Sequence, residues 1–312
     1  MTILDQILPI LFLLLAGMCL RLFDVLSAPI MEGLTRLVVT LVLPSVLFIV
    51  FLDMEMKAAY LGVFVVVAAI CGGFYVLGRL LGRKFAPDHP YFPFLFTGFE
   101  YGMLGVSLFG GAYGLQAVGY IAVVDLAHEL FIWFLFAPLL MIRRDGRSNP
   151  STILKMFATS PVVIGLVAGL LCNFLGLGEI IKSAPVLSSL YGTMKLLSGM
   201  AIPLILLVVG YGIRIRREGL GDVLRLVTLR YGLLVPLALL LNIFVLDRMF
   251  GLTRPFQMAF FTLMILPPPF IIPLFMQKAS DEERAFVVNA LAVSTVVSLV
   301  VFAIYLSLYP TI

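Results

Sequence analysis

Leu266-Pro267-Pro268-Pro269-Phe270-Ile271-Ile272-Pro273 lies inside an apolar run, 255–277, long enough to cross a lipid bilayer. Three consecutive prolines cannot continue an α-helix, because each removes a backbone donor and its ring clashes with the preceding turn. At membrane depth the freed backbone groups must be satisfied by protein or by a water-filled cavity. The stretch therefore predicts a broken membrane helix. A second run, 92–113, is its counterpart. It reads Gly98-Phe99-Glu100-Tyr101-Gly102-Met103-Leu104-Gly105-Val106-Ser107, then Gly110-Gly111 and Gly114, and is too rich in glycine to hold a regular helix well.

The composition around these two stretches is that of a membrane protein. Of 312 residues, 62% are hydrophobic and 12% charged, with a mean hydropathy of +1.14. A soluble domain carries about 25% charged residues, so most of this surface must face lipid. Ten apolar runs follow one another at 3–23, 28–52, 57–82, 92–113, 116–142, 156–177, 184–213, 223–247, 255–277 and 283–309. The first lacks the basic start of a signal peptide, since Asp5 is its only charge before Arg21, and is expected to remain as a span. Cys19, Cys71 and Cys172 all fall in apolar stretches and are expected as small buried hydrophobes, with no disulfide or metal framework. No basic run is interleaved with aromatics, which excludes a nucleic-acid partner.

Charge fixes the expected orientation. Loops after odd-numbered runs carry Arg21; Arg79, Arg83 and Lys84; Arg143, Arg144, Arg147 and Lys155; Arg214, Arg216, Arg217 and Arg225; and Lys278 and Arg284. Loops after even-numbered runs hold only Lys57, Lys182, Arg248 and Arg254. The positive-inside rule makes the odd loops cytoplasmic and puts both termini on the outer side of the plasma (inner) membrane.

The longest polar stretch, 143–155, divides the chain into a first five-helix half (1–142) and a second (156–312), with itself as a cytoplasmic linker. The second run opens Ser27-Ala28-Pro29 and the seventh Ser183-Ala184-Pro185. Each later carries another proline, in Leu43-Pro44-Ser45 and Ile202-Pro203-Leu204. A duplicated unit with an odd number of helices inserts its second copy upside down, so ten transmembrane helices in two inverted five-helix repeats are expected. Such duplications place a substrate site near midplane at discontinuous helices.

Polar groups inside the runs mark the candidate site. Glu100 lies about eight residues into the fourth run, near midplane at about 1.5 Å per residue, where a carboxylate is a functional candidate by default. Asp125, His128 and Glu129 share one helical face at i, i+3 and i+4. They suit a proton relay or a hard cation, though hydrogen bonding between helices explains them as simply. The flexible segments themselves contribute Gly102, Gly105 and Ser107, with Pro267, Pro268 and Ile271. Asn289, Ser294 and Ser298 in the tenth run are polar lining or helix-packing residues. Arg36 and Lys195 either snorkel to the interface or serve as countercharges, and Trp133 reads as an interfacial anchor.

These residues carry a resemblance that spans essentially the whole chain. Ile7-Leu8-Pro9-Ile10 through Gly17 to Arg21, Gly33-Leu34-Thr35-Arg36-Leu37-Val38 ending at Leu43-Pro44, the glycine-rich fourth run, the proline break of the ninth, and Ser294-Thr295-Val296-Val297-Ser298-Leu299 resemble the auxin efflux carrier family, whose bacterial members include malate and malonate permeases. The resemblance implies inverted repeats with crossed, broken helices 4 and 9, and an elevator-like movement of a transport domain against helices 1, 2, 6 and 7. It also implies a secondary transporter for a small organic anion. Glu100 and Ser107 depart from the Asn and Pro of the family pattern, and Phe270 and Ile271 stand where Asn or Gln is common. A carboxylate in place of an amide raises the alternative of a cation/proton exchanger using Glu100, Asp125 and Glu129. No P-loop, G-x-S-x-G or H-E-x-x-H motif occurs, so neither ATP-driven pumping nor an enzyme is expected. Concentrative work must then come from a partner or from a coupling ion, H+ or Na+. Apolar helix faces admit lipid and a second copy of the chain, as a homodimer, alike.

Overall fold

A computed structural model of the chain describes residues 3–55, 57, 60–215 and 219–311. Arg216 and Arg217 of the loop charges above, and residues 58 and 59 of the third run, lie outside the described residues. Among the described residues all regular structure is helical. In chain order the helices are α1 (Ile3–Leu22), α2 (Ala28–Leu52), α3 (Tyr60–Phe85), α4 (Phe92–Phe96), α5 (Val106–Tyr113), α6 (Leu115–Asp145), α7 (Pro150–Thr159), α8 (Pro161–Phe174), α9 (Gly178–Ser183), α10 (Pro185–Gly212), α11 (Leu220–Asp247), α12 (Arg254–Ile265) and α13 (Asp281–Leu308). Eight stretches of the described residues are long and apolar enough to cross a bilayer, namely α1, α2, α3, the interrupted Phe92–Tyr113, α6, α10, α11 and α13. The protein is an all-helical, multi-pass membrane protein.

The other two expected runs are interrupted. The sixth is bent by 65° between α7 and α8 at Ser160-Pro161, where the residue before proline is pushed out of the helical region. This bend also makes the end of the expected 143–155 linker helical from Pro150. The ninth stops at Ile265, and after the triple proline only a 3-10 turn, Ile272–Phe275, follows. The break expected at the triple proline is there, and no second α-helical segment of the run follows it. Pro273 together with Pro267–Pro269 leaves too few donors for a second one.

Prolines inside the long helices are accommodated differently. Pro44 and Pro138 each follow a widened, π-type turn, Val38–Val42 and Ile132–Phe136. The residues four before them, Thr40 and Phe134, fall within those turns, so the wider turn gives the proline ring room against the preceding carbonyl.

The residues group into two compact units, Met1–Lys57, Gly102–Ala122 and Leu154–Gly212 in one, Ala58–Tyr101, Val123–Ile153 and Ile213–Ile312 in the other. The first unit is packed through glycine. A Cβ on Gly17 of α1 would strike the Leu207 carbonyl oxygen, and one on Gly210 of α10 would strike that of Leu14. The same device recurs between α8 and α2, where a Cβ on Gly165 would lie 2.5 Å from the Pro44 oxygen and one on Gly169 2.6 Å from the Phe48 oxygen. Gly165 and Gly169 form a small-xxx-small face, which lets two backbones approach in lipid, where apolar burial gives helices no drive to associate. Cys71 is buried as expected; Cys19 is exposed, because it sits about 200° around α1 from the packed Gly17.

Gly210→Val is expected to destabilise the protein by about 1–3 kcal/mol or more, since backbone and not a flexible side chain must yield. Gly192→Ala in the same helix, where nothing lies within 4 Å, is expected to be neutral or stabilising by up to about 1 kcal/mol. Thermal unfolding of the purified variants checks the pair, and equal losses at both positions would contradict the packing account.

Candidate functional site

The two helix breaks meet in the second unit. α4 ends at Phe96, Thr97 is extended, and residues 97–100 are non-helical before a π-type turn, Tyr101–Gly105, leads into α5. The Thr97 hydroxyl donates to the Cys71 carbonyl at 2.7 Å and so anchors this stretch to α3. Gly98 has φ +72°, and a Cβ there would lie 2.7 Å from Pro269 Cγ. The position needs glycine both for its left-handed backbone and for the close approach of the proline stretch. Two hydrogen bonds through one residue join the breaks. The Glu100 N–H donates to the Pro267 carbonyl at 2.8 Å, and the Phe270 N–H donates to Glu100 Oε2 at 2.6 Å.

Carbonyls released by the breaks are capped by side chains. Arg230 of α11, fully buried, donates from one terminal nitrogen to Gly98 O (2.7 Å) and Leu266 O (3.1 Å) and from the other to Leu95 O (3.3 Å). Its guanidinium also lies 5.5 Å from the centre of the Phe99 ring. Ser298 of α13 donates to Ile265 O at 2.6 Å, the last carbonyl of α12. The Tyr231 hydroxyl lies 2.7 Å from Ser298 Oγ and 2.9 Å from Ser294 O, so its single proton is shared between them. These contacts supply donors where a helix end would otherwise leave orphan carbonyls.

A buried dyad completes the cluster. The Phe99 N–H donates to His128 Nε2 at 2.9 Å, and His128 Nδ1 lies 2.8 Å from Asp125 Oδ1. A nitrogen that accepts from a backbone N–H carries no proton. The proton therefore sits on Nδ1 and is donated to Asp125, which makes His128 a neutral imidazole. Protonating Nε2 would break the bond that holds Phe99, so a proton relay through this ring requires the crossover to move.

The remaining expected site residues are placed as follows. Pro267 and Pro268 are buried in the break, and Ile271 is half-buried in the turn after it. Glu129 accepts from Trp133 Nε1–H at 2.8 Å along α6, which makes Trp133 a partner of Glu129 and not simply an interfacial anchor. Asp125, His128 and Glu129 share a helix face, yet no group of three or more His, Cys, Asp or Glu able to hold a metal occurs among the described residues. Asn289 is fully buried, and the buried Ser294 hydroxyl has no hydrogen-bond partner among the described residues. Gly102, Gly105 and Ser107 belong to the first unit, and the Ser107 hydroxyl bonds the Met103 carbonyl of its own helical turn at 2.8 Å. Arg36 and Lys195 are exposed in that unit, with the Lys195 ammonium 5.3 Å from the Tyr191 ring centre. Sequence reasoning missed Arg230, Gly98 and Tyr231. An arginine well inside the apolar run 223–247 was the available signal. An open groove of about 400 Å³ lined by Phe85, Gly221, Leu224, Arg225, Thr228 and Leu229 includes none of the crossover residues.

No family model and no curated protein matches this chain.

Ser298→Ala and His128→Phe each leave one backbone group of the crossover without its partner and are expected to destabilise the protein by about 1–3 kcal/mol. Nitrogen NMR of labelled histidine is expected to show His128 with an unprotonated Nε2 and a protonated Nδ1 at neutral pH. The opposite tautomer would contradict the dyad as described.

Proposed function

We propose that the chain is a secondary transporter of a small organic anion, coupled to protons through Glu100, with ten membrane crossings in two inverted five-helix repeats. The observation that carries the reading is the junction of two interrupted membrane segments through a single carboxylate residue. Interrupted segments facing each other near midplane are where secondary transporters bind substrate, and irregular backbone persists in a membrane only where protein or a cavity satisfies it.

Packing within the first unit supports the repeat. The first run contacts the seventh through Gly17 and Gly210, and the sixth contacts the second through Gly165 and Gly169, which are equivalent pairs under an inverted duplication. Contacts at the helix ends support the alternation of crossings. After odd-numbered runs, Arg21 donates to Tyr211 O, Arg143 pairs with Glu283 at 3.2 Å, Lys278 with Asp145 at 3.0 Å, and His89 lies 3.5 Å from Asp222. After even-numbered runs, Lys182 pairs with Asp53 at 2.8 Å. With the charge bias, this favours cytoplasmic odd loops and outer termini. The first unit combines runs 1, 2, 6 and 7 with residues 102–122, which suits the scaffold that a resemblance to auxin efflux carriers implies.

Glu100 reconciles a carboxylate with an anionic substrate. Its side chain holds the Phe270 N–H, a donor that a substrate carboxylate would otherwise take. Two carboxylates competing for one donor repel each other. Protonating Glu100 removes that repulsion, so proton and anion bind together. Asp125 and Glu129 already face the neutral donors His128 and Trp133, which weighs against an exchanger built on three acids.

Purified protein in liposomes is expected to accumulate a labelled mono- or dicarboxylate when the outside is made acidic. Glu100→Gln is expected to abolish accumulation while leaving exchange of internal for external substrate. Cation flux coupled to protons and lost in Asp125→Asn, with no anion moved, would replace this reading by the exchanger.

A further inference from the structure

Arg230 is a full positive charge at the centre of a membrane helix, and among the described residues it forms no ion pair. It lies ten residues from the start of α11 at Leu220, about 15 Å along the axis. At that depth, and fully buried, the side chain does not reach an aqueous interface as a snorkelling arginine would. Its counter-charge is backbone. Leu266 follows the last residue of α12, Leu95 is in the last turn of α4, and Gly98 is in the extended stretch beyond it. Unwound carbonyls and the negative ends of interrupted helices are the surroundings in which secondary transporters hold a bare coupling cation. In this protein those three oxygens converge on a guanidinium, at 2.7 to 3.3 Å.

We infer that Arg230 is a tethered cation occupying the seat of an alkali coupling ion, so that the crossover neither needs nor binds Na+ or K+. A guanidinium suits three oxygens drawn from three stretches of chain, because its donors are fixed in a planar fork and it is more weakly hydrated than an ammonium. The ion cannot leave during a transport cycle, so the carbonyl cage carries constant charge in every conformation. A gradient of alkali cations then has no site here through which to drive transport, which leaves the proton as the coupling ion. The transport part of this inference rests on the anion-transporter reading above; the part concerning the cage does not.

The test uses the full chain in lipid nanodiscs and in liposomes. Wild-type melting temperature and acid-driven anion uptake are expected to be unchanged when Na+ or K+ is replaced by choline at equal ionic strength. Arg230→Ala is expected to melt lower, to lose uptake, and to recover stability on addition of methylguanidinium or Na+ at concentrations that do not affect the wild type. Arg230→Lys, which keeps the charge but not the fork, is expected to fall between the two. Stabilisation of the wild type by Na+ over choline, or Na+-dependent uptake, would overturn the inference. So would an Arg230→Ala protein that is folded and indifferent to every cation added. If Arg230→Ala yields no folded protein, the wild-type cation series and the Arg230→Lys variant decide the matter. If no anion is transported under any condition while the stability results hold, the transporter reading fails and the tethered cation stands.

Discussion

A backbone carbonyl in hydrocarbon has no water to turn to, and each one left without a donor costs several kcal/mol. Pro267, Pro268 and Pro269 create that problem at the end of α12, and Gly98 creates it again beyond α4. Much of the second unit is arranged around the answer. Leu95, Gly98 and Leu266 are capped by Arg230, Ile265 by Ser298, and Pro267 by the Glu100 N–H. The side-chain donors come from α11 and α13, each a span of 28 residues.

The same arrangement distributes charge. A guanidinium sits among carbonyls at helix C-terminal ends, and a carboxylate oxygen accepts the first N–H after the proline run. The cation's placement follows the helix dipole, which favours positive charge at C-termini. The neutral His128, oriented by Asp125, accepts from the Phe99 N–H. Arg230, Glu100 and His128 each have a backbone partner on another segment of the chain. The join between the two broken segments therefore runs through the N–H and the side chain of Glu100.

In the first unit close packing replaces polar capping. Gly17 and Gly210, with Gly165 and Gly169, bring backbones together where any side chain would collide with a carbonyl. Dispersion at short range, not apolar burial, holds such pairs in lipid. One unit is thus held by close glycine packing between helices. The other holds a hydrogen-bonded irregular crossover.

What the sequence determined alone is local chemistry. Apolar runs give spans, three prolines in a row end a helix, and lone polar residues such as Glu100, Asp125, His128 and Ser298 stand out against an apolar background. Those readings need no partner, because the physics of a proline ring or a carboxylate in lipid depends on few neighbours. Partner identity depends on the fold. Ser107 and Glu129 looked available and are bonded within their own helices, while Arg36 and Lys195 are exposed. Arg230 lies five residues from Arg225, which reads as a loop charge, and it differs only in being buried against carbonyls from three remote stretches. Of the many glycines, Gly98 is the one whose positive φ and contact with Pro269 make it irreplaceable at the crossover. Only the tertiary structure decided these, because which partner a polar group finds, near or far along the chain, leaves no periodicity in the sequence.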